Sequence, residues 1–267
     1  MARVSIELCE ESGEDATQEA PQGGVVHRII RPQSTIRRYD PAVELPRWLT
    51  MRGSLRFLGL FDARDHGGDG VFDHAQRRFA PTTNPLSWMG DADGRWASFK
   101  ASSVQLDTEV HIASWAEGTL LMLHRAVNTN ELPMLNDNYT GSDGSVYLRY
   151  SPPGVPKKYR FTKTSSHDPL VQDTISTTAD FDQLYWRMVA CDWGPAGMHL
   201  YVDGAVAGSD EGVTTGTAAN PWGLIRINRG CYALWGSQGV AIAAIWREQF
   251  DPVVHKLISQ SRRRLVA

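Results

Sequence analysis

From about Gly53 onward the chain runs in short apolar stretches separated by clusters of Gly, Pro, Asn and Asp. That texture predicts many short strands joined by turns, as in an all-β sandwich or barrel. Residues 104–114 alternate as a half-buried strand does, whereas 119–126 are almost continuously apolar. Alternation resumes in SVYLRY at 145–150 and KKYRFT at 157–162, and the prolines between them, Pro152, Pro153 and Pro156, predict a reversal. Residues 222–228 and 239–246 supply two further strands.

The most informative stretch is 185–207, YWRMVACDWGPAGMHLYVDGAVA. Trp186, Met188 and Ala190 share one face of a strand, Gly194 and Gly197 bracket a turn, and 198–202 return. Asp203-Gly204 is the dipeptide of a type I′ turn, whose two central residues both need positive φ, so two consecutive hairpins are predicted. Residues 251–263 make the one convincing helix, with Asp251 as N-cap, Pro252 at the first helical position and Val254, Leu257 and Ile258 as an apolar stripe.

The first 50 residues have neither period. Residues 7–19 are acidic and 27–38 basic, and Pro21, Gly23, Gly24, Pro32, Pro41 and Pro46 punctuate the segment. The expectation is an extended arm over 1–53 ahead of a β domain over 54–267. On such an arm Val25, Val26, Ile29 and Ile30 would anchor on a neighbouring subunit, while Arg28, Arg31, Arg37 and Arg38 pair with its acidic surface.

The residues of the β region resemble the laminin-G-like jelly rolls of the concanavalin-A-like group, in the form found in phage virion proteins. The resemblance rests on Trp186, the turn at 192–197, the run Tyr201-Val202-Asp203-Gly204, the later strand at 224–230, and the final strand at 239–245 followed by a helix. At the front, Leu58-Gly59-Leu60, the Asp73-His74 loop, and Gly94-Arg95 leading to Ser98-Phe99 fit the same pattern. The implied fold is a two-sheet antiparallel jelly-roll sandwich with a short C-terminal helix. The implied setting is a bacteriophage particle: a capsid decoration or head-spike subunit, docked by its arm on the major capsid protein or another virion component, in a homo-oligomer or symmetric lattice.

A net charge of -3 with 21% charged residues gives no electrostatic footprint for nucleic acid. The first residues lack the basic-then-apolar pattern of a secretory signal, and no segment has the apolar length of a membrane helix, so synthesis in the host cytoplasm and no membrane insertion are expected. Cys9, Cys191 and Cys231 form no CxxC pair and are read as core thiols.

Catalysis is not expected. Glucanases on this scaffold need alternating carboxylates on one strand, and the nearest approach, Asp107 and Glu109, supplies two on one face. No Gly-x-Ser-x-Gly elbow introduces a serine, and His66, His74 and His167 sit in predicted loops without metal-ligand spacing, while His111 and His199 fall in strands. Asn136, Asp137, Asn138 and Asp143 offer hard oxygen for calcium, which many members of the resembled family bind, but they form no defined ligand loop, so no metal or cofactor is expected. The alternative function is carbohydrate binding, as in a tail-fibre or adhesin module. Sugar faces stack on rings while hydroxyls need directional partners, and Trp193, Trp222, Tyr232 and Trp235, with Asp192 and Asn220 nearby, are the candidate platform.

Overall fold

The computed structural model describes residues 52–61, 70–91, 94–99, 104–112, 115–126, 132–136, 146–150, 157–167, 170–182, 185–212, 224–228 and 238–262. The arm residues Val25, Val26, Arg28, Ile29, Ile30, Arg31, Arg37 and Arg38 lie outside them.

The strands are β1 (Leu55–Leu60), β2 (Gly70–Asp73), β3 (Arg78–Pro81), β4 (Ser87–Asp91), β5 (Gly94–Phe99), β6 (Leu106–His111), β7 (Gly118–Ala126) and β8 (Leu132–Asn136). They continue as β9 (Val146–Tyr150), β10 (Tyr159–His167), β11 (Leu170–Ser176), β12 (Arg187–Gly194), β13 (Gly197–Val202), β14 (Ala205–Asp210), β15 (Leu224–Ile227) and β16 (Gln238–Trp246), and among the described residues there is one helix, α1 (Pro252–Arg262). Every strand pairing among the described residues is antiparallel. A ten-stranded sheet runs β14-β13-β12-β7-β16-β1-β2-β3, with the β4–β5 hairpin added to β16, and a six-stranded sheet runs β11-β10-β9-β8-β15-β6. The architecture is the expected two-sheet jelly-roll sandwich.

Alternation along the strands builds two apolar layers rather than one. On β7, Leu120 and Met122 face the other sheet and share one buried cluster with its Phe161, Leu148 and Ile225; Leu121 and Leu123 face the opposite way, into a second cluster with Leu58, Trp96, Met188, Tyr201, Trp246 and Ile258. Burial on both faces is why β7 and β16 read as continuous apolar runs.

The sheet edges close on one another. At one side Thr82 bridges Leu106, and the Thr83 amide donates to the Gln105 carbonyl at 2.9 Å. At the other, the Thr178 amide donates to the Ala207 carbonyl at 2.8 Å. There a Cβ on Gly208 would stand 2.5 Å from the Ser176 carbonyl oxygen, so only glycine lets the edges meet.

The β13–β14 turn takes the predicted form, with φ of 51° at Asp203 and 81° at Gly204. The helix begins as predicted, since Asp251 Oδ1 accepts from the Val253 amide at 2.8 Å. Its buried stripe differs from the expected one: Ile258 is buried and Val254 half-buried, but Leu257 is 43% exposed and His255 takes the inward place.

Candidate functional site

Across the two-residue turn at 195–196, Asp192 stands directly opposite His199, and the period of two aims both at the outer face of the larger sheet. Asp192 Oδ1 accepts from His199 Nδ1 at 2.8 Å and from Gln249 Nε2 at 3.2 Å. Its other oxygen, Oδ2, accepts from His255 Nε2 at 2.9 Å. His255 belongs to α1, is fully buried, and stacks on the Tyr201 ring with centroids 3.8 Å apart. Gln249 also donates to the Gly197 carbonyl, and Ser259 Oγ to the Asp203 carbonyl. A Cβ on Gly204 would lie 2.6 Å from Ser259 Cβ, so the helix rests directly on the β13–β14 turn.

Burial alone would push the Asp192 carboxyl up, but the bonds from His199, His255 and Gln249 outweigh it and hold the carboxyl below its usual value. The same bond raises His199, against the smaller opposing effect of burial. Burial and the Asp192 charge push the Tyr201 phenol up. Cys191 is likewise pushed up by burial and the neighbouring Asp192, so it remains a core thiol, as expected.

This cluster fastens the helix. Its two histidines bond opposite oxygens of one carboxylate instead of converging on a common point, and among the described residues no group is arranged to hold a metal ion. Ser209 is the cross-strand neighbour of His199 on β14, completing an Asp-His-Ser row, but its hydroxyl makes no hydrogen bond to the ring, so nothing there activates a nucleophile.

Two members of the expected sugar platform are not on the surface. Trp193 is 0% exposed and lies between the sheets, its indole N–H donating to the Trp115 carbonyl at 3.3 Å and its ring 6.0 Å from Phe161. It follows Val189 and Cys191 at steps of two, so it points inward with them. Asp192 is fully buried and consumed by its three donors. Trp222, Tyr232, Trp235 and Asn220 lie outside the described residues, as do Asp137, Asn138 and Asp143 of the oxygen-rich turn, whereas Asn136 is a buried residue of β8.

The two nearest carboxylates to a catalytic pair are each held by an arginine: Asp107 Oδ2 accepts from Arg226 Nε at 3.1 Å, and Glu109 pairs with Arg78. What the sequence reading missed was the Asp192–His199–His255 cluster. The signal for its first half was present, since a turn bracketed by Gly194 and Gly197 makes 192 and 199 partners.

No protein-family model and no curated protein matches the chain. Solved structures do match. Domain 4 of AbnA, an extracellular arabinanase from Geobacillus stearothermophilus solved with arabinotriose, has a TM-score of 0.59 at 11% identity, over 78% of this chain and 98% of that one. The binding domain of Paraclostridial Mosquitocidal Protein 1 gives 0.60 at 10% identity over 78% of this chain, and that of botulinum neurotoxin serotype C1 gives 0.54 at 11% over 78%. The chain spans about half the length of these two toxin domains, 52% in each case. At such identities the likeness is one of fold: this chain shares its jelly-roll sandwich with domains that bind.

Proposed function

We propose that this chain is a non-enzymatic carbohydrate-binding domain whose ligand contacts lie on the rim loops carrying Trp222, Tyr232, Trp235 and Asn220. The observation that carries the reading is the match over nearly the whole of an arabinanase domain that was solved with an oligosaccharide. The non-enzymatic part is supported by the state of the acids. Retaining or inverting glycoside hydrolysis needs two available carboxyls about 5–9.5 Å apart. Here Asp107, Glu109 and Asp192 are each engaged by cationic or hydrogen-bonding side chains. A glycan screen tests the proposal: Trp222→Ala and Trp235→Ala are each expected to weaken the bound glycan about two- to tenfold, since a stacked ring contributes roughly 0.5–1.5 kcal/mol. Binding indifferent to both changes would remove these loops as the site.

A second reading, favoured by the Pro- and Arg-punctuated leader and by the resemblance to phage jelly rolls, is a virion component: a capsid decoration or head-spike subunit that presents the sandwich outward. The two are compatible, because a displayed sandwich can carry a sugar site. In this reading the chain forms a symmetric oligomer or lattice, and Val25, Val26, Ile29, Ile30 and the arginines at 28, 31, 37 and 38 dock on a capsid protein. Deleting residues 1–50 is expected to abolish incorporation into particles while the sandwich still folds; full incorporation of the truncated chain would end the docking-arm idea.

A further inference from the structure

The β2–β3 hairpin carries an aromatic and cationic surface that neither the sandwich core nor the helix seat uses. Val71 and Ala80 point between the sheets, so their neighbours Phe72 and Phe79, directly paired across the ladder, point outward at the sheet edge. The two rings meet edge to face at 5.5 Å, and the His74 ring meets Phe72 at 5.1 Å. Phe79 is 55% exposed, which leaves a ring face to solvent.

The hairpin is held rigidly. Asp73 Oδ1 accepts from the Leu58 and Ala75 amides at 3.1 and 2.9 Å, and Gln76 Nε2 donates to the Arg56 carbonyl at 2.8 Å. The turn contains Arg77 at φ 55°, a left-handed conformation that a glycine would adopt without strain. Arg77 is exposed and has no ionic partner among the described residues. Next to it, Arg78 reaches Glu109, itself at φ 53° on a bulge where four residues of β6 step past two of β15. Of the four non-glycine residues with positive φ among the described residues, one is a member of this ion pair and another precedes its arginine, next but one to Phe79 in the chain. Strain of this kind persists where surrounding structure over-determines it and gathers at binding sites.

We infer that the β2–β3 hairpin is a second glycan subsite selective for acidic sugars, with the Phe79 ring stacking on a sugar face and the Arg77 guanidinium taking a carboxylate. The inference rests on the carbohydrate-binding reading above and adds a ligand class and a place. Arginine suits the task because its planar fork matches a carboxylate in a bidentate way, and the ordered hairpin loses little freedom on binding.

The test uses the full chain, titrated calorimetrically with trigalacturonate and with neutral galactotriose. The wild type is expected to prefer the acidic trisaccharide about tenfold. Arg77→Gly should erase that preference while raising the melting temperature by about 2–4 °C, because glycine relieves the left-handed position. Gain of stability with loss of selectivity is a combination that a purely structural Arg77 could not give. Phe79→Ala should weaken both sugars about fivefold. An unchanged acidic preference in Arg77→Gly, or equal binding of the two sugars by the wild type, would overturn the subsite. In that event, binding still sensitive to Trp222→Ala would leave the rim-loop reading standing, and absence of any glycan binding would remove both.

Discussion

Replacing Trp193 with alanine is expected to destabilise the protein by about 3–5 kcal/mol, the range for removing a large aromatic side chain from a packed core. The indole is fully buried between the sheets, packed on Phe161, and close enough to Gly118 that a Cβ there would stand 2.4 Å from the ring. The surrounding strands are held by the β12–β7 and β12–β13 ladders and cannot collapse to fill the space. Truncation also strands the Trp115 carbonyl, whose bond to the indole N–H contributes about 1 kcal/mol. Urea unfolding should show a lower midpoint with an unchanged slope, and thermal unfolding a fall of roughly 10 °C. Trp193→Phe should recover part of the loss. Glycan binding by the folded variant should equal that of the wild type, because the ring is not on the surface. A loss below about 1 kcal/mol would mean that the indole does not fill the interior as described.

The same residue shows where sequence reading succeeds and where it stops. Tight turns are legible because they are made by local backbone chemistry: Asp203-Gly204 announces its positive φ values, and Asp251-Pro252 announces a helix start. Strand existence is legible from periodicity, which places β6, β7, β9 and β16 close to their observed bounds. Which side of a strand faces water near its end is harder. Trp193 sits one residue from the end of β12 beside a Gly-Pro turn, a position that reads as rim, yet alternation from Val189 through Cys191 carries it inward. The second apolar layer is harder still, since it depends on an outer face that a one-sided sandwich would leave to solvent. His255 shows the consequence: on sequence it is one polar residue in an amphipathic helix, and its burial follows only from the carboxylate lying beneath it.

That dependence defines what the sandwich can offer a ligand. The interior is filled, the edges are paired with each other, and the helix covers β12 and β13 on the outer face. On the proposed carbohydrate-binding reading, recognition falls to segments outside this packed body, the 213–223 and 229–237 stretches of the sequence and the exposed face of the β2–β3 hairpin. Such a division, with a rigid scaffold and variable projecting segments, is the usual way one fold carries many specificities.

Substitution of Asp192 by asparagine should be as damaging as loss of the buried tryptophan, at about 3–5 kcal/mol, although it removes no volume. The carboxylate accepts from three side chains on three different segments, and an amide replaces one acceptor with a donor facing either His199 and Gln249 or His255. Since His255 is fully buried, its Nε2 cannot turn to water for a substitute. Loosening should therefore appear first in the helix: amide exchange over 252–262 is expected to speed up before the sheets are affected. The pH dependence follows from the two shifted groups. Asp192 is lowered from 3.8, so its contribution is present above that value and is lost as pH falls through the lowered one. His199 is raised from 6.5, so its contribution is complete below 6.5 and is lost as pH rises through the raised value. Both are present between about pH 4 and 6.5, and the stability difference between wild type and His199→Gln should be largest there and shrink above neutrality. Chemical denaturation of the two proteins across pH 4.5 to 9 decides the matter, and a difference that stayed flat over that range would show that the Asp192–His199 pair does not titrate as a unit holding the helix.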